Sequence, residues 1–221
     1  MSEEKNAKSS KIILAIHCTD KSFGFGLREL KKNNFRTNFY IKDFNKDLSN
    51  NLIEELSLFI KTNSSFNSIE RIVVTIGPSN FNASRLIVTC SKSLSQQIKC
   101  SLDSYSSFQI IAKRLITNNS SLNVRESNSF WIINKLRKRG YIAGKYNIEL
   151  KNTQTQEIIV KELVKPQLYK NLEKEIIHYE ASFNIKEELQ ELLNLSYLNH
   201  QNSIFNSWED VFPIYPISPV N

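Results

Sequence analysis

Along this chain, unbroken apolar runs give way to strict alternation and then to apolar stripes at helical spacing. Lys11 to Ile16 is an almost continuous apolar run, which predicts a central strand covered on both faces. Phe23, Phe25 and Leu27 alternate with Gly24, Gly26 and Arg28, and Phe35, Thr37, Phe39 and Ile41 alternate again. That period of two predicts half-buried antiparallel strands joined by hairpins. Leu48, Leu52, Ile53, Leu56, Phe59 and Ile60 share one face of a helix over 47–62, with Asp47 or Ser49 as its N-cap. A wholly apolar strand (Ile72, Val73, Val74, Ile76) then stops at Gly77-Pro78. A second helix over 83–97 carries Leu86, Ile87, Cys90 and Leu94 on one side, with Ser84, Arg85, Thr89, Ser91 and Lys92 opposite. Leu102 to Tyr105 predicts a short strand, and Phe108, Ile111, Ala112 and Leu115 a short helix. Three antiparallel strands, then helix, strand, helix, strand, helix, is the order of a ribonuclease-H-like α/β unit.

The polar run Thr117 to Asn128 predicts a linker, after which the opening pattern starts again. SFWII runs into Asn134, Lys135 and Arg137 to Arg139 form a basic turn, and GYIAGKYNIEL returns, as IILAI, His17 and FGFGL did in the first half. A degenerate duplication follows from this: residues 1–10 as a disordered tail, 11–116 as a first lobe, 117–128 as the linker and 129–221 as a smaller second lobe with its tail. Within the second lobe, Glu157 to Val164 predicts a strand, and Pro166 opens a helix through Ile177. Ile185, Leu189, Leu192, Leu193 and Ser196 mark another helix, and the aromatic, proline-rich end from Trp208 to Val220 predicts an extended segment laid on the body or a partner.

Composition narrows the chemistry. At 221 residues the chain exceeds the commonest domain size of about 100–150 residues, so one large domain or two small lobes fit. A 40% hydrophobic content predicts a packed, ordered protein. Lys and Arg outnumber Asp and Glu 29 to 22, a net charge of +7 that favours acidic partners such as RNA, although the lysines are dispersed. Cys18, Cys90 and Cys100 are odd in number and far apart, which argues for reduced thiols in a cytoplasmic protein and against a disulfide framework or zinc site. The N-terminus has no apolar leader, and no stretch reaches the roughly 18 apolar residues of a membrane span. The five glycines form neither GxGxxG nor GxxxxGK[ST], so those phosphate-cradling routes to nucleotide binding are excluded. No cofactor is expected.

Several residues stand out singly. Gly77 suits a turn with positive φ, and Pro78 then fixes the chain direction into the helix. Phe81 reads as a plug for the lobe, and Arg85 as either a phosphate ligand at the helix start or a lock on the loop. His17, at a strand end with no ligating neighbour in sequence, reads as satisfied by backbone, and His178 and His200 as surface residues in helical surroundings. Arg137, Lys138 and Arg139 form either a solvated turn or a contact for tRNA phosphates. Leu58 and Val88 lie off the main apolar stripes of their helices, as a partner-binding patch would, and Ile87 and Lys92 are assigned to the same interface.

The run from Gly77 to Leu86 (GPSNFNASRL), with Lys92, Leu94 and Ser106-Ser107-Phe108, resembles the GPGSFTGLRIG…AKGLA…SSL block of the bacterial TsaB family, also called YeaZ. KIILAIHCT resembles the family's opening ILAIDTS, WIINKLRKRGYIAGKY its second-lobe IDARRGEVY, VKP at 164–166 a strand-to-helix junction, and PIYP its terminal PVYLR. What remains of the block is GP-x-x-F-x-x-x-R: Gly77, Pro78, Phe81 and Arg85. His17 and Asn134 stand where the family has aspartates, so neither supplies the hard oxygen ligand that Mg²⁺ needs in catalytic actin-like enzymes.

The resemblance implies two ribonuclease-H-like lobes of the actin-like ATPase and sugar kinase superfold, the second lobe reduced. It implies a non-catalytic subunit of a tRNA threonylcarbamoyladenosine machinery, paired through its two long helices with the catalytic paralogue TsaD, and working with the ATPase TsaE. TsaD modifies the adenosine just 3′ of the anticodon, so tRNA would be met indirectly; a homodimer through the same helices is also implied. The rival readings are a degenerate actin-like ATPase or glycoprotease-like enzyme, and a basic RNA-binding protein.

Overall fold

The computed structural model describes residues 10–30, 36–43, 48–118, 129–152, 157–172 and 176–217. Phe35, Asp47, most of the 1–10 tail, most of the 117–128 linker and the last residues of the C-terminal segment lie outside them.

Strands β1 (Ile12–Cys18), β2 (Ser22–Glu29), β3 (Thr37–Asp43), β4 (Ile69–Thr75) and β5 (Ser101–Tyr105) form one sheet in the order β3-β2-β1-β4-β5. The β1-β2 and β2-β3 pairs are antiparallel, and the β1-β4 and β4-β5 pairs parallel. This is the ribonuclease-H-like unit that the element order predicts. Its first helices are α1 (Leu48–Asn63), α2 (Phe81–Ile98) and α3 (Ser107–Asn118). A second sheet, ordered β8-β7-β6-β9, is built from β6 (Ser129–Leu136), β7 (Gly140–Asn152), β8 (Glu157–Tyr169) and β9 (His178–Glu180). Then α4 (Ile185–Gln201) returns to the first sheet.

Burial follows the apolar code closely at β1, whose seven residues are all buried. Ile12, Leu14 and Ile16 join α1 and α2 on one face; Ile13 and Ala15 join Leu189, Leu192 and Leu193 of α4 on the other. The second face corrects the expectation for β2, which is buried on both sides rather than half-buried. Its glycines are the reason. A Cβ at Gly24 would lie 2.9 Å from Leu189 Cδ1 and from the Tyr40 carbonyl oxygen, and one at Gly26 3.1 Å from Leu193 Cδ1. Gly24→Ala is therefore expected to cost about 1–3 kcal/mol as an overpacked site, read as a lower urea midpoint at unchanged m.

Helix α2 is rotated relative to its predicted face. Ser84, Ser91 and Ser95 are buried with Ala83, Ile87 and Val88, whereas Leu86, Cys90 and Leu94 are only partly covered. Serine can face inward because its hydroxyl is satisfied locally: Ser91 Oγ donates to Ile87 O and Ser95 Oγ to Cys100 O, both at 2.7 Å. Helix α1 buries Leu48, Leu52, Leu56, Phe59 and Ile60 but leaves Ile53, expected inside, 67% exposed.

Pro166 does not open a helix. It sits in β8, the outer strand of its sheet, beside an irregularity where Ala143 pairs with Gln167 but Lys145 with Val164. An edge strand at a bulge tolerates a residue without an N–H, so the VKP segment is strand rather than a junction. Helix α3 serves both sheets: Ile110 packs with α4, while Phe108, Ile111, Ala112 and Ile116 pack with Phe130, Ile132, Ile142, Tyr146 and Val160 of the second sheet. The C-terminal segment lies on the first lobe, with Val211 buried there and Ile214 N donating to Ile76 O at 2.7 Å.

Candidate functional site

The carboxyl ends of β1, β4 and β5 converge at the Gly77-Pro78 turn, where α/β proteins place ligands. Gly77 has φ +94°, a conformation that favours glycine, and its peptide bond to Pro78 is cis. Asn80 caps α2 by accepting from Ala83 N, and Ser107 N donates to Gly77 O at 2.7 Å. Phe81 packs on Tyr215 of the C-terminal segment, ring centroids 4.6 Å apart, so it pins that segment rather than plugging the lobe interior. Arg85 points to solvent, with no hydrogen bond or ion pair among the described residues. The lock on the loop proposed from sequence is not formed there.

The strand end at His17 is filled. The imidazole is fully buried, with Nε2 2.7 Å from Glu188 Oε2 and Nδ1 2.7 Å from Thr75 Oγ1. Its partners are thus side chains, not the backbone expected from sequence. Glu188, also fully buried, accepts from Asn184 N through Oε1, which lies 3.5 Å from Arg114 Nη2. A buried carboxylate shared by a histidine, an arginine and a backbone N–H is held rather than offered to a ligand. Glu188 was not singled out in the sequence. Its one signal is spacing, four before Leu192 and eight before Ser196 on the inward stripe of α4. His200, in the last turn of α4, is half-buried; His178 is exposed, but in β9 rather than a helix.

Two further clusters flank the turn. Cys18 Sγ lies 3.3 Å from Ser79 Oγ, which is 2.6 Å from Ser84 Oγ. Burial pushes the Cys18 thiol up to about 12, so it packs as an inert group rather than a nucleophile. Between the lobes, Ser106 Oγ donates to Glu162 Oε1 at 2.5 Å, Tyr146 OH donates to the same oxygen at 3.2 Å, and Gln109 N donates to Ser106 Oγ. Burial raises the Glu162 carboxyl above the usual range, and the hydrogen bonds from Ser106 and Tyr146 oppose that rise. Its folded-state value exceeds the unfolded one, so folding takes up a proton. This contribution is full below the ordinary glutamate value and is lost as pH rises through the raised one. In paired urea titrations, Glu162→Gln is expected to remove that component, and the wild-type-minus-variant difference is expected to fall with rising pH. Among the described residues no three His, Cys, Asp or Glu side chains gather as a metal site requires, and no helix is long and apolar enough to cross a membrane.

The proposed partner patch is split by the structure. Leu58 is 61% exposed, as a contact residue must be, and lines a groove of about 570 Å³ with Tyr40, Glu55 and Lys186. Val88 and Ile87 are instead core residues, 2% and 0% exposed, because the buried face of α2 runs through Ala83, Ser84 and Ser91. Lys92 is engaged within the chain: Nζ donates to Val211 O at 2.8 Å and lies 4.4 Å from the centre of the Phe212 ring. What α1 and α2 leave uncovered is Ile53, Leu58 and the half-buried Leu86 and Cys90. Arg137, Lys138 and Arg139 occupy the β6–β7 turn, all exposed, away from this patch.

No family model matches the sequence, and no curated protein matches it. Solved structures do. One, described as an uncharacterized protein with similarity to peptidase YeaZ from Pseudomonas aeruginosa, superposes with a TM-score of 0.64 at 13% identity, covering 94% of this chain and 100% of that one. YeaZ from Pseudomonas aeruginosa superposes with a TM-score of 0.60 at 15% identity, covering 93% of this chain and 99% of that one. Across nearly its whole length this chain has the fold of YeaZ.

Proposed function

We propose that the protein is a non-catalytic TsaB-like subunit that binds a TsaD-type threonylcarbamoyltransferase and activates it for threonylcarbamoyladenosine modification of tRNA beside the anticodon. The observation that carries this reading is the filled strand end. His17 and Glu188 close on each other where catalytic actin-like enzymes keep carboxylates open for Mg²⁺. On the same YeaZ fold, the outer surface of α1 keeps Ile53 and Leu58 in water. Large apolar side chains left outside beside a well-packed core suit a surface that another protein covers.

The subunit acts by linkage: a partner that binds one conformation of TsaD better raises its population by that difference in affinity. A TsaE-type ATPase joins the same assembly, tRNA is met through the catalytic subunit, and the free chain pairs with itself through the same helices. Co-expression with the cognate TsaD-type protein tests the reading. The tagged chain is expected to bring that protein down in stoichiometric amounts, and loss of the chain to lower threonylcarbamoyladenosine in tRNA. Absence of a complex, or micromolar calorimetric binding of ATP–Mg²⁺ by the isolated chain, overturns it.

A further inference from the structure

Helix α3 packs on one face of the second sheet; on the other, Trp131, Tyr141, Lys145 and Tyr169 are half-buried and Lys135 is exposed, while Ile133 and Ala143 between them are buried. Phe130, Ile132 and Tyr146 point toward α3, so the alternate positions point away. The ladder sets Trp131 opposite Lys145, Lys135 opposite Tyr141, and Tyr141 opposite Tyr169, and opposed residues share a face. Tyr169 meets Trp131 edge-on with centroids 5.6 Å apart, and Lys145 Nζ lies 6.0 Å from the Trp131 ring centre. At one end of this face stands the exposed turn of Arg137, Lys138 and Arg139. Among the described residues, the acidic groups on the face are Glu180 and Glu149, the latter 3.6 Å from Lys161 Nζ.

Rings interleaved with cations on a sheet face match one class of partner. Unpaired bases stack on aromatic side chains while their phosphates lie against lysine and arginine, and a duplex hides the base faces that such rings need. Gln167, beside Tyr169 on the same edge, donates its amide N–H to the tyrosine hydroxyl at 2.6 Å and leaves its carbonyl oxygen for a donor such as a ribose 2′-hydroxyl. We propose that the face of the second sheet turned away from α3 binds single-stranded RNA. The inference is independent of the subunit reading, since neither α1 nor the filled strand end belongs to this face.

The test is fluorescence anisotropy of the whole chain with a labelled oligouridine about 12 nucleotides long. Affinity is expected to fall steeply between about 50 and 200 mM salt. Trp131→Ala is expected to weaken binding about ten-fold with the salt slope kept. Replacing Arg137, Lys138 and Arg139 together by serine is expected to lower the log–log slope by about 2, near 0.7 for each phosphate released. Lys145→Glu, which leaves the core face untouched, is expected to weaken binding as well and covers the case of a Trp131 variant that does not fold. No binding at the lowest salt, equal affinity for the same sequence as duplex RNA or as single-stranded DNA, or binding indifferent to both Trp131→Ala and Lys145→Glu overturns the proposal.

Discussion

Asp103→Ala is expected to lower the free energy of unfolding by about 3–5 kcal/mol, a large share of the roughly 5–15 kcal/mol that holds a folded domain together. Asp103, on β5, is fully buried and gathers five hydrogen bonds. Arg71 of β4 donates from Nε at 3.1 Å and from Nη2 at 2.8 Å. Ser196 and Asn199 of α4 and Asn206 beyond it donate at 2.5, 3.0 and 2.6 Å. One carboxylate thus joins two strands of the first sheet to the helix that returns from the far end of the chain. Truncating it strands the Arg71 guanidinium, which also donates to Ile204 O, in a site only 6% exposed. The cost arises from that unpaired charge rather than from the worth of the pair. The double variant Arg71→Met with Asp103→Leu is accordingly expected to lose less than Asp103→Ala in the same urea titration, its remaining cost coming from Ser196, Asn199 and Asn206, which lose their acceptor in both. A loss below about 1 kcal/mol for Asp103→Ala, the scale of a surface pair, contradicts this account.

How much of this was legible in the sequence depended on whether the partner of a residue lay near it in the chain. β1 and β4 could be read directly, because a strand buried on both faces has no polar alternation to misplace. The Gly77-Pro78 turn was equally plain, since its positive φ calls for glycine. Reading failed where a distant element decided burial. Gly24 and Gly26 looked like the wet side of a hairpin until α4, more than 150 residues later in the chain numbering, came to lie on them. The acidic partner of His17 could not be read from nearby residues because Glu188 stands 171 residues away. Ser84 and Ser91 were assigned to the outside by polarity, although the Ile87 carbonyl satisfies Ser91 and small side chains pack well inside. That single misassignment rotated α2 and made Val88 and Ile87 look available to a partner. Pro166 was assigned to a helix start by its frequency there, when a bulged edge strand accommodates it as well.

Replacing Ile53 and Leu58 together by aspartate is expected to weaken capture of the proposed TsaD-type partner by at least about 100-fold, which corresponds to roughly 2.7 kcal/mol. The two positions are five residues apart, so at 3.6 residues per turn they point about 140° from one another. They flank the buried stripe of α1 formed by Leu52, Leu56 and Phe59. Leu58 looks toward β3 across the groove with Tyr40 and Glu55. Ile53 lies on the other flank of the stripe. A partner that covers α1 from either side therefore buries at least one new carboxylate, and burying an unpaired charge costs several kcal/mol. Because both side chains stand mostly in water in the free chain, its own stability is expected to change by no more than about 0.5 kcal/mol. That leaves loss of capture as a property of the surface. The single variants separate the flanks: Ile53→Asp alone abolishing capture places the partner over the Ile53 flank, and Leu58→Asp alone abolishing it places the partner over the groove. Serine replacements at Arg137, Lys138 and Arg139, on the far sheet, are expected to leave capture intact. Undiminished capture by the double aspartate variant removes α1 as the docking element, and with it the physical basis for an activating subunit built on this helix.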